Sequence, residues 1–336
     1  MNLLLCSKGN EKAILISQVN TINNIIDYLK IYFDVERVYS LPLSKIWTIY
    51  AVSNLVGMPI SGYDVVQKSY LEGNIYICSY KHQIIVEHND DEQLCIIARR
   101  MIRSILRWNL FSNNIPFMHG GFIEINGIGV ALLGKRKSGK TSTIMALLSH
   151  EGTKYGTNDD LSLIIDSNRI QAEGWGKSIS IRNDTLLAIE KTAPKYMLAS
   201  FENDYKVNLC KESSTFMQEK SYFTPKYFAS VYNREIVKSV DIRIILFPEF
   251  IGINGEGSYI NALEKKHALK CLSNNIESTP EEYCPYFFNY FNKQNYAEIY
   301  DQINYIVEMI PCYSLKQYFN NLDSGAKNII SLIKNL

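Results

Sequence analysis

Residues 134–141 of the chain read Gly134-Lys135-Arg136-Lys137-Ser138-Gly139-Lys140-Thr141. Glycine stands at the first and sixth positions, lysine at the seventh and threonine at the eighth, which is the pattern of a phosphate-binding loop. Glycines let backbone amides approach a phosphate chain, and the helix that follows directs unpaired amides toward the same anion. All eight positions match, so the segment predicts a site for the phosphates of ATP or GTP.

The flanking sequence predicts a strand before this loop and a helix after it. Residues 130–133 are apolar without alternation, as in a strand buried on both faces. Residues 141–150 have a helical pattern, and Asn126-Gly127 predicts a hairpin turn before the strand. This context favours a nucleotide site over a plain glycine-containing turn, which is the simpler interpretation of the same residues.

Individual residues of the loop have separate expected roles. We expect Lys140 to reach the outer phosphates and the Thr141 hydroxyl to bind Mg²⁺, which prefers oxygen ligands. The three cationic residues between Gly134 and Ser138 add positive charge, and a solvated surface is an equally good interpretation of them. The predicted nucleotide contacts are Gly134, Lys135, Arg136, Lys137, Ser138, Gly139, Lys140, Thr141 and Ser142.

An acidic pair and a histidine are the other candidate catalytic residues. Asp159-Asp160 precedes the apolar run 161–165, and beside a metal one carboxylate can anchor Mg²⁺ while the other accepts a proton from a hydroxyl. A turn with solvated charge is the alternative. His119 stands before Gly120-Gly121; an isolated histidine is more often a packing residue, and the other four show no metal-ligand spacing.

The order of these motifs resembles HPr kinase/phosphorylase and, more closely, the HPr-kinase-related proteins. The matching segments are His119-Gly120-Gly121, residues 127–130, the loop at 134–141 and Asp159-Asp160. The resemblance is strongest over residues 115–165. It implies an α/β P-loop core related to phosphoenolpyruvate carboxykinase, and a kinase for a serine- or threonine-type hydroxyl. Relatives with this reduced pattern include kinases of ribosomal peptide clusters, such as lasso peptide clusters.

The resemblance also implies roles at the site. Lys140 would stabilise the transferred phosphoryl group, Thr141 and one Asp would hold Mg²⁺, the other Asp would act as base, and His119 would assist near the substrate. The chain departs from the family at residues 135–137 and lacks both the glutamate signature, with which Glu173 does not align, and the arginine-rich C-terminal motif. These departures weigh against phosphorolysis and against HPr as substrate.

Segment patterns predict two domains in an α/β (α+β) protein. A smaller N-terminal α+β domain would cover residues 1–112, with a hairpin at 74–88 and a helix from Asp91. A catalytic domain would cover residues 113–336, with a strand at 242–247 that ends at Pro248, a polar loop at 202–226 and a helical C-terminal part from residue 262.

Composition limits the partners. Lys plus Arg total 35 against 34 Asp plus Glu, so the formal charge of +1 recruits neither nucleic acid nor an anionic membrane. Seven dispersed cysteines indicate reduced thiols in a cytoplasmic protein, and the sequence suggests no signal peptide or membrane span. A homo-oligomer stays open.

Three functions fit these observations. The first is an ATP-dependent kinase for a hydroxyl on a peptide or small protein, in ribosomal peptide biosynthesis. The second is a kinase for a small hydroxylated metabolite, and the third is a non-catalytic nucleotide-sensing protein. The presence of His119 and both Asp residues favours catalysis, because binding alone does not require them.

Overall fold

The computed structural model describes residues 2–17, 19–41, 45–69, 73–182, 186, 220–279 and 284–335. The chain divides into two units: Met1–Asn114 with Thr279–Gln294, and Ile115–Ser278 with Asn295–Leu336. Each unit contains its own sheet, so the fold is mixed α/β. Among the described residues, every helix is too short or too polar to cross a membrane.

Among its described residues, the first unit has seven strands, two α-helices and two short 3-10 helices. They are β1 (Asn2–Lys8), β2 (Glu11–Ser17), α1 (Val19–Leu29), β3 (Asp34–Val38), β4 (Trp47–Val52), β5 (Asp64–Gln67), β6 (Asn74–Cys78), a 3-10 turn (Ser79–Lys81), β7 (Gln83–Glu87), α2 (Asp91–Ser112) and a second 3-10 helix (Pro285–Asn289). The sheet order is β3-β1-β2-β4-β7-β6-β5. The pairs β2–β4 and β4–β7 are parallel, and the other pairs are antiparallel.

Two local predictions for this unit are confirmed. The hairpin at 74–88 is present as β6 and β7, which pair antiparallel around the 3-10 turn. The helix α2 begins at Asp91, because the side chain of Asp90 accepts a hydrogen bond of 2.8 Å from the Gln93 amide. It ends at Ser112, as the polar residues that follow it predict.

Residues 279–294 belong to the first unit, whereas the sequence grouped them with the rest of 113–336. The reason is aromatic packing against Trp108 of α2. The ring centroids of Phe287, Phe288 and Phe291 lie 6.2, 4.8 and 5.8 Å from that of Trp108. Aromatic side chains bury large apolar areas, so this segment returns to the helix even though it is remote in sequence.

The second unit contains the phosphate-loop segment. Its elements are β8 (Phe117–Met118), β9 (Gly120–Ile125), β10 (Ile128–Leu133), α3 (Lys140–Leu148), β11 (Thr153–Thr157), β12 (Leu161–Asp166), β13 (Arg169–Gly174), β14 (Ile179–Arg182), β15 (Lys220–Phe223), α4 (Pro225–Val231), β16 (Ser239–Gly252), β17 (Ser258–Ala262), α5 (Lys265–Ser273), α6 (Tyr296–Met309), β18 (Cys312–Tyr318), a 3-10 turn (Phe319–Asn321) and α7 (Leu322–Lys334).

The large sheet of this unit has the order β11-β9-β10-β16-β13-β12-β8, with β18 beside β16 and β17 beside β18. The pairs β10–β16 and β16–β18 are parallel, while the remaining pairs are antiparallel. A separate two-stranded ribbon joins β14 and β15. The strand β16 therefore connects β10, which leads into the loop, with the C-terminal strand β18.

The strand β10 is buried on both faces, as its unbroken apolar run predicts. Val130 and Leu132 pack in one core cluster with residues of α3 and α7, whereas Ala131 and Leu133 pack in another with residues of α5 and α6. The hairpin turn at Asn126-Gly127 is also confirmed: both residues have positive φ, 49° and 84°, between β9 and β10. The last residues of β10, which lead into the loop, are thus packed on both faces.

Three predicted segments differ from the structure. The strand β16 continues through Pro248 to Gly252, because pairing with β10 stops at Leu246 and only the β18 edge continues past it. The helical C-terminal part is interrupted by β18, which is held by β16 and β17. Of the predicted loop 202–226, residues 202–219 lie outside the described residues, while 220–223 form β15 and α4 begins at Pro225.

Candidate functional site

The predicted order of strand, loop and helix is observed at residues 128–148. The strand β10 ends at Leu133, and α3 begins at Lys140 with Gly139 as its N-cap residue. Gly139 has a φ of 103° and Lys137 a φ of 70°, so the chain reverses through left-handed conformations before the helix. Glycine adopts such a conformation without steric cost.

A side chain at Gly139 would also be crowded. A Cβ atom at this position would lie 3.0 Å from the Phe250 ring and 3.2 Å from the Gln317 amide nitrogen. Phe250 belongs to β16 and Gln317 to β18. The beginning of α3 is therefore packed directly on the central and C-terminal strands of the sheet.

We expect Gly139→Ala to lower the free energy of unfolding by about 1–3 kcal/mol, because it adds backbone strain and a close contact. Gly257→Ala is the matched control, since Gly257 has a φ of 79° but nothing lies within 4 Å of the position that an added methyl group would take. Urea denaturation of the two variants separates the backbone strain from the packing. An equal loss of stability in both would show that contacts with Phe250 and Gln317 do not constrain the loop.

The Lys140 side chain folds back onto its own loop. Its Nζ atom donates hydrogen bonds to the carbonyl oxygens of Gly134, at 2.6 Å, and Lys135, at 3.1 Å. Burial lowers the pKa of this ammonium group to about 8, and the negative charge of Asp159 opposes that shift. The Lys140 ammonium group is thus held beside the loop, within electrostatic range of Asp159.

The first helical turn lies beside the end of β11. The Asn158 side-chain amide donates to the Thr141 hydroxyl at 3.5 Å, which is the long limit of a hydrogen bond. The Tyr155 hydroxyl donates to the Asn158 side-chain oxygen, Oδ1, at 3.2 Å and fixes the orientation of that side-chain amide. Asn158 immediately precedes Asp159-Asp160, so the backbone that leads into the acidic pair passes beside the first turn of α3.

His119 reaches the same place from the junction of β8 and β9. Its Nδ1 atom lies 3.6 Å from an Asp159 carboxylate oxygen, and its backbone amide donates to the Asn275 carbonyl at 2.8 Å. Burial lowers the pKa of His119, with further contributions from Lys140 and Lys177, while Asp159 and Asp160 oppose the shift. The histidine and the acidic pair therefore form one electrostatic cluster with Lys140.

The two aspartates differ in exposure. The Asp159 side chain is 39% exposed and the His119 side chain 35%, whereas Asp160 is only 3% exposed. An incoming group can thus approach Asp159 and His119 from solvent. Asp160 begins the transition into β12, whose first residue, Leu161, is fully buried.

The remaining candidates do not all face the cluster. Lys135, Arg136 and Lys137 are exposed, in keeping with the alternative of a solvated surface, and Ser142 is buried within α3. Ser138 is different, because its hydroxyl oxygen is buried and has no hydrogen-bond partner among the described residues. A buried hydroxyl without a partner is costly, which makes this atom available to an anion held in the loop.

The donor set fits a magnesium ion that is shared with phosphate oxygens. In the part of the chain that the structure describes, no group of three His, Cys, Asp or Glu side chains is arranged to hold a metal by itself. Mg²⁺ is usually bound by one or two carboxylates together with waters and substrate phosphates. Thr141, Asp159 and Asp160 offer one hydroxyl and two carboxylates as such a partial set, and the buried Ser138 hydroxyl is a further polar group with no partner among the described residues.

Several residues at the site were not found from the sequence. Lys177, between β13 and β14, lies close enough to lower the pKa of His119, and Asn158 contacts Thr141. Gln317 donates a hydrogen bond to the Thr143 hydroxyl in the first turn of α3. The sequence indicates Asn158 only as part of a predicted turn with Asp159-Asp160. The other three carry no motif, because their positions depend on which strands become neighbours.

Comparison with known proteins gives likenesses among solved structures alone. No protein-family model and no curated protein matches the chain. Among solved structures, the Hpr(Ser) kinase/phosphatase from Coxiella burnetii is similar at 12% sequence identity. The alignment covers 65% of this chain and 94% of that chain, with a TM-score of 0.31. The resemblance is distant.

Proposed function

We propose that this chain is an ATP-dependent kinase that phosphorylates a serine- or threonine-type hydroxyl of a peptide or small protein. The observation that carries the proposal is the clustering of Lys140, Thr141, Asp159 and His119 at the loop after β10. These residues come from three separate segments of the sequence. A phosphate loop, a cation, a hydroxyl for the metal and a carboxylate base are recurring parts of phosphoryl-transfer sites, and the imidazole lies beside that base.

The loop and Lys140 bind the phosphates in this proposal. Backbone amides at the start of α3 face the anion together with the positive end of the helix dipole. Lys140 exchanges its two carbonyl acceptors, on Gly134 and Lys135, for phosphate oxygens, which are stronger acceptors because they are charged. The ammonium group then neutralises charge on the phosphoryl group as it is transferred.

Asp159 and Asp160 have different roles in this proposal because they differ in solvent exposure. Asp159 is the proton acceptor, because it is accessible to an incoming hydroxyl and lies next to His119. Asp160, which is almost completely buried, holds Mg²⁺ together with the Thr141 hydroxyl. Bound Mg²⁺ supplies neutralisation of the phosphate charge. His119 keeps the Asp159 carboxylate oriented toward the acceptor.

A peptide acceptor suits the accessibility of these side chains. More than a third of each of the Asp159 and His119 side chains is exposed. A hydroxyl carried on an extended chain can reach such groups without being enclosed. A small metabolite would instead need a closed polar pocket to orient it. The biological setting we propose is the modification of a ribosomally made peptide.

Mass spectrometry tests this function directly. The purified protein is incubated with Mg²⁺, ATP and precursor peptides encoded beside its gene, with GTP in a parallel reaction. We expect one peptide to gain a phosphate on a hydroxyl, and we expect ATP turnover to rise when that peptide is added. Turnover that rises only with small hydroxylated compounds would favour a metabolite kinase, and binding of ATP without any turnover would favour a nucleotide sensor.

A further inference from the structure

We infer that Gln317 is a positioning residue for the phosphate loop, an assignment that rests on the proposed function. Gln317 lies on β18 and is fully buried. Its amide nitrogen donates a hydrogen bond of 2.6 Å to the Thr143 hydroxyl, 174 positions away in the sequence. The C-terminal strand thus reaches the helix that starts at the loop.

The contact continues from Thr143 to the loop itself. The Thr143 hydroxyl donates to the Gly139 carbonyl at 2.9 Å, and the Thr143 backbone amide donates to the same oxygen at 2.9 Å. Because the hydroxyl hydrogen is used in this bond, the oxygen of Thr143 must accept from Gln317. This fixes the Gln317 amide with its nitrogen toward Thr143.

Fixing the Gly139 carbonyl also fixes the amide of Lys140. The two groups belong to one trans peptide, so the carbonyl and the N–H point in opposite directions. The carbonyl points along α3, and the Lys140 N–H therefore points out of the helix start, where the proposed phosphate binds. Gln317 acts on the nucleotide through Thr143 and Gly139, without touching it.

Packing alone does not account for a glutamine at this position. A threonine that bonds back to the carbonyl four residues earlier is common in helices and needs no further partner. The Gln317 side-chain oxygen is buried without a hydrogen-bond partner in the described part of the chain. It faces Gly325 of α7, and a Cβ atom added to Gly325 would lie 2.7 Å from this oxygen. An apolar side chain would avoid this cost, so the donor to Thr143 is the distinctive contribution of Gln317.

A double-mutant cycle separates positioning from stability. Gln317→Met, Thr143→Val and the double variant are compared with the unaltered protein by calorimetric titration with Mg·ATP and by thermal melting. We expect each single change and the double change to raise the Kd for Mg·ATP about tenfold, as for the loss of a good hydrogen bond. Thr143→Val leaves the Gln317 amide unpaired and lowers the Tm, whereas the double variant, with both partners apolar, regains it.

Asn328→Ala is the matched control on the same side of the unit. Asn328 of α7 donates to the carbonyl and hydroxyl of Ser258, so its hydrogen bonds run to β17. We expect this variant to lower the Tm and leave the Kd for Mg·ATP unchanged. The inference is overturned if the double variant regains affinity together with its Tm, or if Asn328→Ala weakens binding equally. Absence of Mg·ATP binding by the unaltered protein would overturn the proposed function itself.

Discussion

Lys140→Met should lower the rate of peptide phosphorylation by about a hundredfold to a thousandfold, the loss typical of removing one preorganised charge-stabilising donor. The ammonium group of Lys140 is the buried cation closest to the loop carbonyls, and it is also within range of Asp159. Methionine has a similar length and no charge. The variant therefore keeps most of the volume of the side chain and removes its charge together with its hydrogen bonds to the carbonyl oxygens of Gly134 and Lys135.

We expect Lys140→Met to lose activity without a matching loss of folding stability. Burial lowers the pKa of the Lys140 ammonium to about 8, so the uncharged methionine removes the cost of burying a charge, and this gain offsets the loss of the hydrogen bonds to Gly134 and Lys135. The Tm of Lys140→Met should therefore differ little from that of the unaltered protein. Lys154→Met is the matched control, because Lys154 pairs with Glu124 and Glu235 at the surface and should retain full activity. A Lys140→Met protein with undiminished transfer contradicts the proposed role.

Asp159→Asn should reduce transfer by about a hundredfold to ten-thousandfold, the usual contribution of general base catalysis. Asparagine keeps the shape of the side chain but does not accept the proton of the hydroxyl. The affinity for Mg·ATP should change little, because Asp159 acts on the acceptor side. Steady-state rates and calorimetric titration together distinguish a loss of base catalysis from a loss of nucleotide binding.

Asp160→Asn gives the complementary result. This variant should need a higher Mg²⁺ concentration for half-maximal activity, since Asp160 is proposed to hold the metal with Thr141. Asp166→Asn is the control for both changes, because Asp166 lies at the exposed end of the same strand, β12. If Asp159→Asn shifted the Mg²⁺ requirement while Asp160→Asn abolished transfer at every Mg²⁺ concentration, the two assignments would be reversed.

The local parts of the fold could be predicted because they depend on short-range patterns. The apolar run of β10, the Asn126-Gly127 turn and the spacing within α2 are each sufficient to define an element. The course of the chain around residues 134–141 follows in the same way. Such patterns show which faces of a strand or helix are apolar. The unbroken apolar run of β10 therefore predicted burial on both faces, which the structure confirms.

Long-range features could not be predicted in this way. The return of residues 279–294 to Trp108 depends on aromatic packing between distant segments, and the contact of Gln317 with Thr143 depends on β18 lying beside β16. The sequence also left Asp159 and Asp160 equivalent, whereas the turn into β12 leaves one exposed and buries the other. The roles of these site residues stay predictions until they are tested.

The position of β18 beside β16 has a consequence for the order in which the protein is made. Thr143 and Gln317 are separated by 174 positions, so at about 5–20 residues per second the ribosome needs about 10 to 35 seconds between them. Through that interval α3 exists without the amide that orients its first turn. Contacts of such long range form slowly. If Gln317 positions the loop as proposed, the full affinity for nucleotide is therefore acquired late, after the strand that follows α6 has emerged and joined the sheet.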